Sequence, residues 1–209
     1  MLLERADVDP NILFKDSEPP LFRAAFKGHE GVVRMLLERV DVDPNALSDH
    51  GETPLFRAAF EGHDRVVKML LERNNINPNI VNKCGQTPIF GAAWKGHEGV
   101  VKMLLERVDV DPNTLDENGE TPLFRATCGG HERVVKVFLD RVDINSDIKD
   151  LTGETPLSQA RKRGHRAIVK LLSERKNSIP LADGHRFTTL PSPEPPNPGQ
   201  RPFKRVRRF

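Results

Sequence analysis

The stretch that begins at Gly51, GETPLFRAAFEGHDRVVKML, returns at Gly85 as GQTPIFGAAWKGHEGVVKML and again at Gly119 and Gly153, always 34 residues on. Ser17 opens an eroded copy one step earlier, so five copies begin at 17, 51, 85, 119 and 153. A period of this length means stacked supersecondary units, each burying its apolar side on its neighbours. Such a chain has no single centre around which to fold.

Within a copy the local signals are consistent. Thr53 stands where a helix N-cap is needed, and Pro54 takes the first helical position, where its missing donor costs nothing. The short helix it opens must end by Gly62, the residue type that most easily turns left-handed after a helix. His63 and Asp64 open a second helix in which Val66, Val67, Met69, Leu70 and Leu71 place apolar groups around most of the circumference. Lys68 and Glu72 form its wet face. The linker from Asn74 to Gln86, NNINPNIVNKCGQ, carries turn residues with single apolar residues between them and predicts a short extended hairpin. Two-turn helices do not persist alone in water, so stacking must hold them.

Charge and cysteine content exclude several classes. Lys and Arg total 32 against 30 Asp and Glu, a formal net charge of +2, which offers no general footprint for nucleic acid or an anionic membrane. Residues 181–209 carry six basic side chains against Asp183 and Glu194, leaving the rest slightly acidic. Two cysteines, Cys84 and Cys128, cannot build a disulfide framework and fit a reducing compartment. MLLERADVD is not a signal peptide, and no apolar run is long enough to span a bilayer. A cytoplasmic or nuclear monomer is expected.

Thr-Pro-Leu/Ile-x-x-Ala, followed by Gly-His and a Val-Val-Lys-x-Leu-Leu helix, resembles the ankyrin repeat, and the uniform copies look like those of fungal ankyrin arrays. The resemblance implies an all-α repeat solenoid, an ankyrin-type stack of short helix-turn-helix units joined by β-hairpin-like loops. It departs from the family in two ways. Phe22, Phe56, Phe90 and Phe124 replace the usual His after Thr-Pro-Leu. The copies also run to 34 residues rather than 33, the extra residue falling in the Asp-Pro-Asn or Asn-Pro-Asn of the linker.

Residues 1–16 align with the second half of a copy, as if the chain were a piece of a longer array, and 17–180 hold the five repeats. At the far end Ser158, Gln159, Arg161, Lys162 and Arg163 suit an outer cap. Residues 181–209, with six of the 17 prolines, predict a disordered tail. Its end, KRVRRF, offers Lys204, Arg205, Arg207 and Arg208 as a nuclear-import signal. A second reading folds this basic tail back over the acidic loop tips.

No catalytic constellation is apparent: no acid or base pairs with a nucleophile and no glycine-rich phosphate loop occurs, so neither enzymatic activity nor a cofactor is expected. His29, His63, His97, His131 and His165 form a column, but stacked helices hold equivalent residues about 8–10 Å apart, too far for shared metal ligation. Their expected role is to bond backbone near a helix start. Arg34, Lys68, Lys102, Lys136 and Lys170 run beside Glu38, Glu72, Glu106, Asp140 and Glu174, a solvated face rather than a nucleic-acid groove. The Phe column at 22, 56, 90 and 124 is expected to be packing.

Phe26, Phe60, Trp94 and Cys128, one turn later, fall where the family generally exposes the end of the first helix. With Lys27, Glu61 and Lys95 beside them, and Asp49, Lys83 and Glu117 at the loop tips, they make the candidate surface for a protein partner. The expected function is a non-catalytic protein-interaction scaffold. The alternatives are a nuclear regulator delivered by the tail and a fragment of a larger receptor such as a nucleotide-binding sensor.

Overall fold

The computed structural model describes residues 18–178. The partial copy expected at 1–16 and the tail at 181–209, with Lys204, Arg205, Arg207 and Arg208, lie outside the described residues. Ten helices follow in pairs: α1 (Pro20–Lys27), α2 (Glu30–Glu38), α3 (Pro54–Glu61), α4 (Asp64–Leu71), α5 (Pro88–Lys95), α6 (Glu98–Leu105), α7 (Pro122–Cys128), α8 (Glu132–Leu139), α9 (Pro156–Arg163) and α10 (Arg166–Ser178). Odd-numbered helices pack on one another in one layer and even-numbered helices in a second.

Threonine caps form at α3, α7 and α9, whereas α1, entered from Pro19, has no side-chain cap. The hydroxyls of Thr53 and Thr121 accept from the amides of Phe56 and Phe124, both at 3.0 Å, and Thr155 forms a capping box with Ser158. Thr87 makes no such cap; its hydroxyl lies 3.2 Å from that of Thr114 in its own copy's linker.

Ala24, Ala25, Ala58, Ala59, Ala92 and Ala93 are buried on the odd helices. Side chains this small let α1, α3, α5 and α7 approach more closely than the even helices do. Phe22, Phe56, Phe90 and Phe124 are at most 2% exposed, so they are packing. Burying each stabilises the stack by about 1.5–3 kcal/mol.

Three polar ties repeat from copy to copy. The imidazole Nε2 of His63, His97 and His131 lies 2.9, 3.0 and 2.8 Å from the carbonyls of Phe26, Phe60 and Trp94 in the preceding copy. A carbonyl only accepts, so Nε2 carries the proton. The histidines therefore bond backbone, as expected, but across the seam rather than beside their own helix.

The second tie is an asparagine clamp. The amide nitrogens of Asn45 and Asn113 donate to the carbonyls of Asn75 and Asp143, at 2.7 and 2.8 Å, while their oxygens accept from Asn77 and Asn145. Asn79 does the same toward Asp109 and Asp111. The Pro-Asn of the longer linker is thus a cross-copy connector.

The third tie is an arginine strap after α6 and α8. Arg107 and Arg141 donate to the carbonyls of Leu71 and Leu105, and grip Asp109 and Asp143 with Nε and a terminal nitrogen.

The linkers hold no regular strand among the described residues; their tips are hairpin-like loops, each closed by a backbone bond from Ser48 to Glu52, Asn82 to Gln86, Asp116 to Glu120 and Asp150 to Glu154. Side-chain oxygens of Ser48, Asn82, Asp116 and Asp150 each accept from the amides two and four residues on, closing a tight turn. One backbone bond then joins each turn to the next: Lys83 to His50, Glu117 to Cys84, Leu151 to Asn118, at 2.9–3.0 Å. A single rung per neighbour is too little for a ladder.

Gly96 has φ +80°, and a Cβ there would stand 2.5 Å from Nδ1 of His131; Gly164 has φ +73° with nothing within 4 Å. Gly164→Ala is therefore expected to cost only the left-handed backbone, about 1–2 kcal/mol. Gly96→Ala should cost more, and His131→Ala in that background should add less than it does alone, read from urea unfolding midpoints.

Asn75 stands where Asp109 and Asp143 stand in other copies, and the buried Nε of Arg73 has no partner. Asn75→Asp should complete the pair and raise stability by about 0.3–1 kcal/mol at neutral pH. The arginine beside Asp109 and Asp143 holds both carboxyls below their ordinary range. For a depressed carboxylate the contribution is present above the unfolded pKa and is lost as pH falls through the folded one. The benefit of Asn75→Asp should accordingly begin to fall as pH drops below about 4, the ordinary aspartate value, and be gone once pH is below the depressed folded-state value, read in acid titrations of stability.

Candidate functional site

The candidate surface begins where each odd helix ends. The His tie captures the carbonyls of Phe26, Phe60 and Trp94, so the backbone that carries these aromatic side chains is fixed from the next copy. Phe26 and Phe60 are half-buried and Trp94 is 37% exposed. Phe60 stacks on buried Phe56 at 6.1 Å between centroids and meets Trp94 edge-on at 5.7 Å.

Cations cover these rings. The Arg57 guanidinium lies 5.0 Å from the Phe26 centroid and 5.5 Å from that of Phe60; Arg125 lies 4.5 Å from Trp94. Lys27 and Lys95 place Nζ 4.6 and 4.7 Å from Phe26 and Phe60. Each contact contributes about 0.5–1 kcal/mol where exposed. Arg57 also faces Glu52 at 3.3 Å and Glu61 at 3.6 Å, and Arg125 faces Glu120 at 3.1 Å. Burial pushes the carboxyls of Glu52 and Glu120 upward despite these arginines.

Arg57 and Arg125 were absent from the expected surface. Their sequence signal is the Glu five residues earlier: Glu52 with Arg57, Glu120 with Arg125, and Glu18 with Arg23 at 3.7 Å. In the copy starting at 85 both partners change together, to Gln86 and Gly91. Gly91 lies inside α5, where glycine costs about 1 kcal/mol relative to alanine. A Cβ there would meet Phe60 at 3.3 Å, so Phe60 leans into the space left by the missing side chain.

Cys128 does not belong to the exposed column. It is 9% exposed, and its carbonyl accepts from Arg163 at 3.2 Å, with the ring nitrogen of His165 at 3.4 Å. The tip residues Asp49, Lys83 and Glu117 are exposed. Their neighbours Ser48 and Asp116 are buried turn-closers rather than contact positions. The basic and acidic columns of the even helices are exposed throughout, although Lys102 pairs back to Glu98 rather than forward to Glu106.

The arrangement is a rigid row of aromatic and cationic side chains on an open face. Among the described residues no group of three or more His, Cys, Asp or Glu could hold a metal, and no helix is long and apolar enough to cross a membrane. The ten described helices in stacked pairs define a helical repeat protein. Four overlapping segments, 1–82, 41–116, 68–150 and 89–183, match the family model described as Ankyrin repeats (3 copies), and the chain belongs to the ankyrin repeat family. A comparison with curated proteins returned no match. Repeats of this family are protein–protein interaction modules, in the main non-enzymatic.

Burial raises the Cys128 thiol above its ordinary value. A raised thiol is protonated at neutral pH, and the thiolate is the nucleophile. Iodoacetamide at pH 7.5 should modify Cys128 at least about tenfold more slowly than free cysteine, followed by peptide mass mapping, with the rate rising as pH approaches the thiol's elevated pKa.

Proposed function

We propose that this chain is a non-catalytic scaffold that holds one protein partner against the ends of its odd helices. Phe26, Lys27, Phe60, Glu61, Trp94 and Lys95 form the contact surface. Asp49, Lys83 and Glu117 form its rim on the loop tips, and Cys128 supports from below. The observation that carries the reading is the pair of half-buried Phe60 and exposed Trp94, edge to face at 5.7 Å. Apolar aromatic surface at the centre of a charged rim is the usual composition of an interface anchor. The unpaired thiols of Cys84 and Cys128 fit a reducing compartment, in line with a cytoplasmic or nuclear protein.

Truncating a central aromatic anchor typically costs an interface 2 kcal/mol or more, about 30-fold in affinity. Phe60→Ala/Trp94→Ala should therefore lose captured protein from the source lysate, while Glu72→Ala/Glu106→Ala, on the even helices, should retain it. Circular dichroism melting checks that both variants fold. The reverse pattern of capture would place the contact surface on the other layer and defeat the reading.

A further inference from the structure

Charge is spread unevenly along the array. Residues 153–178 carry seven Lys and Arg against two acids, Glu154 and Glu174, whereas residues 17–152 carry 17 against 22 Asp and Glu. The excess gathers where α9 ends and α10 begins, on Arg161, Lys162, Arg163 and Arg166, all four exposed. Both acids of this copy are already engaged: Glu154 pairs with Lys162, and Glu174 stands 3.9 Å from Lys170. Even with every charge of the preceding copy counted, residues 119–178 hold 12 Lys and Arg against eight Asp and Glu.

The position of Arg166 works against its own helix. α2, α4, α6 and α8 begin on Glu30, Asp64, Glu98 and Glu132, acids that suit the positive end of a helix dipole. α10 begins on a cation at that same end and has no acid in its first turn. Arg161 and Lys162 lie in the last turn of α9, where cations are favoured, but that does not account for Arg166. Neither Arg161 nor Arg166 has a carboxylate within ion-pair distance among the described residues. Arg163 donates to the carbonyl of Cys128 at 3.2 Å, which holds its guanidinium at the seam between copies. A terminal copy needs a polar outer face. Polarity alone is met by mixed signs, and this face is of one sign.

The size of the patch restricts what it can hold. A nucleic-acid duplex or an anionic bilayer extends past one copy and meets the acidic excess of residues 17–152. A short run of carboxylates stays within the patch, and guanidinium groups hold carboxylates through paired N–H donors. We infer that Arg161, Arg163 and Arg166, with Lys162 at their edge, form a second docking surface whose occupant is an acidic protein segment. This surface stands apart from Phe60 and Trp94 and does not depend on them. Opposite charges of this kind mainly set selectivity and association rate, and they weaken with salt.

The test is fluorescence anisotropy of the full chain with a fluorescein-labelled octaglutamate peptide, with labelled octalysine as the control for sign. Octaglutamate should bind, octalysine should not, and affinity should fall about tenfold between about 25 and 250 mM sodium chloride. Arg161→Gln/Arg166→Glu should weaken octaglutamate binding about tenfold at the lower salt. Its urea midpoint should hold or rise, because the change at 166 restores the acid that opens the other even helices. Phe60→Ala/Trp94→Ala should keep affinity within about threefold, as should the tail variant Lys204→Gln/Arg205→Gln/Arg207→Gln/Arg208→Gln.

Equal affinity in Arg161→Gln/Arg166→Glu would overturn the inference, as would no binding at the lower salt or equal binding of octalysine. Loss confined to the tail variant, or shared equally by all three variants, would overturn it too. If Phe60→Ala/Trp94→Ala alone loses the peptide, the acidic segment belongs to the aromatic surface and the second surface fails, while the scaffold reading stands. In the tail variant, tighter binding of a DNA duplex or of phosphatidylserine vesicles than of octaglutamate would replace the acidic segment with that ligand.

Discussion

The carbonyl at the end of each odd helix from Phe26 to Trp94 is held by a histidine in the following copy, and that bond fixes the register of the whole stack. Hydrophobic burial draws the copies together, but it is non-directional and would tolerate sliding. The imidazole removes that freedom because it needs two things at once. It needs a carbonyl 2.8–3.0 Å from Nε2 and a glycine beneath its ring, where no Cβ stands in the way. Asn45, Asn79 and Asn113 impose a second register on the linkers, and Arg107 and Arg141 a third on the even helices. Every one of these ties joins residues about one period apart, so cooperativity runs along the array.

Fixing the register also fixes the surface. Phe26, Phe60 and Trp94 carry the carbonyls that the histidines bind, so packing and candidate contact share the same residues. The scaffold can then vary outward-pointing side chains with little effect on its core. The copy starting at 85 gives up an ion pair and a stronger helix former at the buried positions Gln86 and Gly91, and Phe90 and Leu104 stay buried. A change that weakens a unit locally without disturbing its packing is the pattern expected where function, rather than folding, sets the residue.

Much of the fold was legible because its determinants are local. Thr53, Pro54 and Gly62 act within one helix, and their chemistry is the same in any context. The Phe22 column could be placed by position alone. The misreadings arose where the deciding neighbour lies a period away or in three dimensions. Thr87 points toward Thr114 instead of capping. Cys128 is covered at a copy boundary where Arg163 and His165 arrive from the next unit. The linker tips are hairpin-like turns without regular strands because Ser48, Asn82, Asp116 and Asp150 close them within five residues. Arg57 and Arg125 were overlooked because a charged residue on a short helix reads as solvated face until an aromatic ring is seen beneath it.

Nearest-neighbour coupling is the claim on which the rest stands, and native-state hydrogen exchange of Phe90→Ala tests it directly. Removing this fully buried ring should lower amide protection most in residues 85–118, less in 51–84 and 119–152, and least in 153–178. Protection lost only within 85–118, or lost equally in every copy, would contradict a stack in which each unit is stabilised by the one beside it.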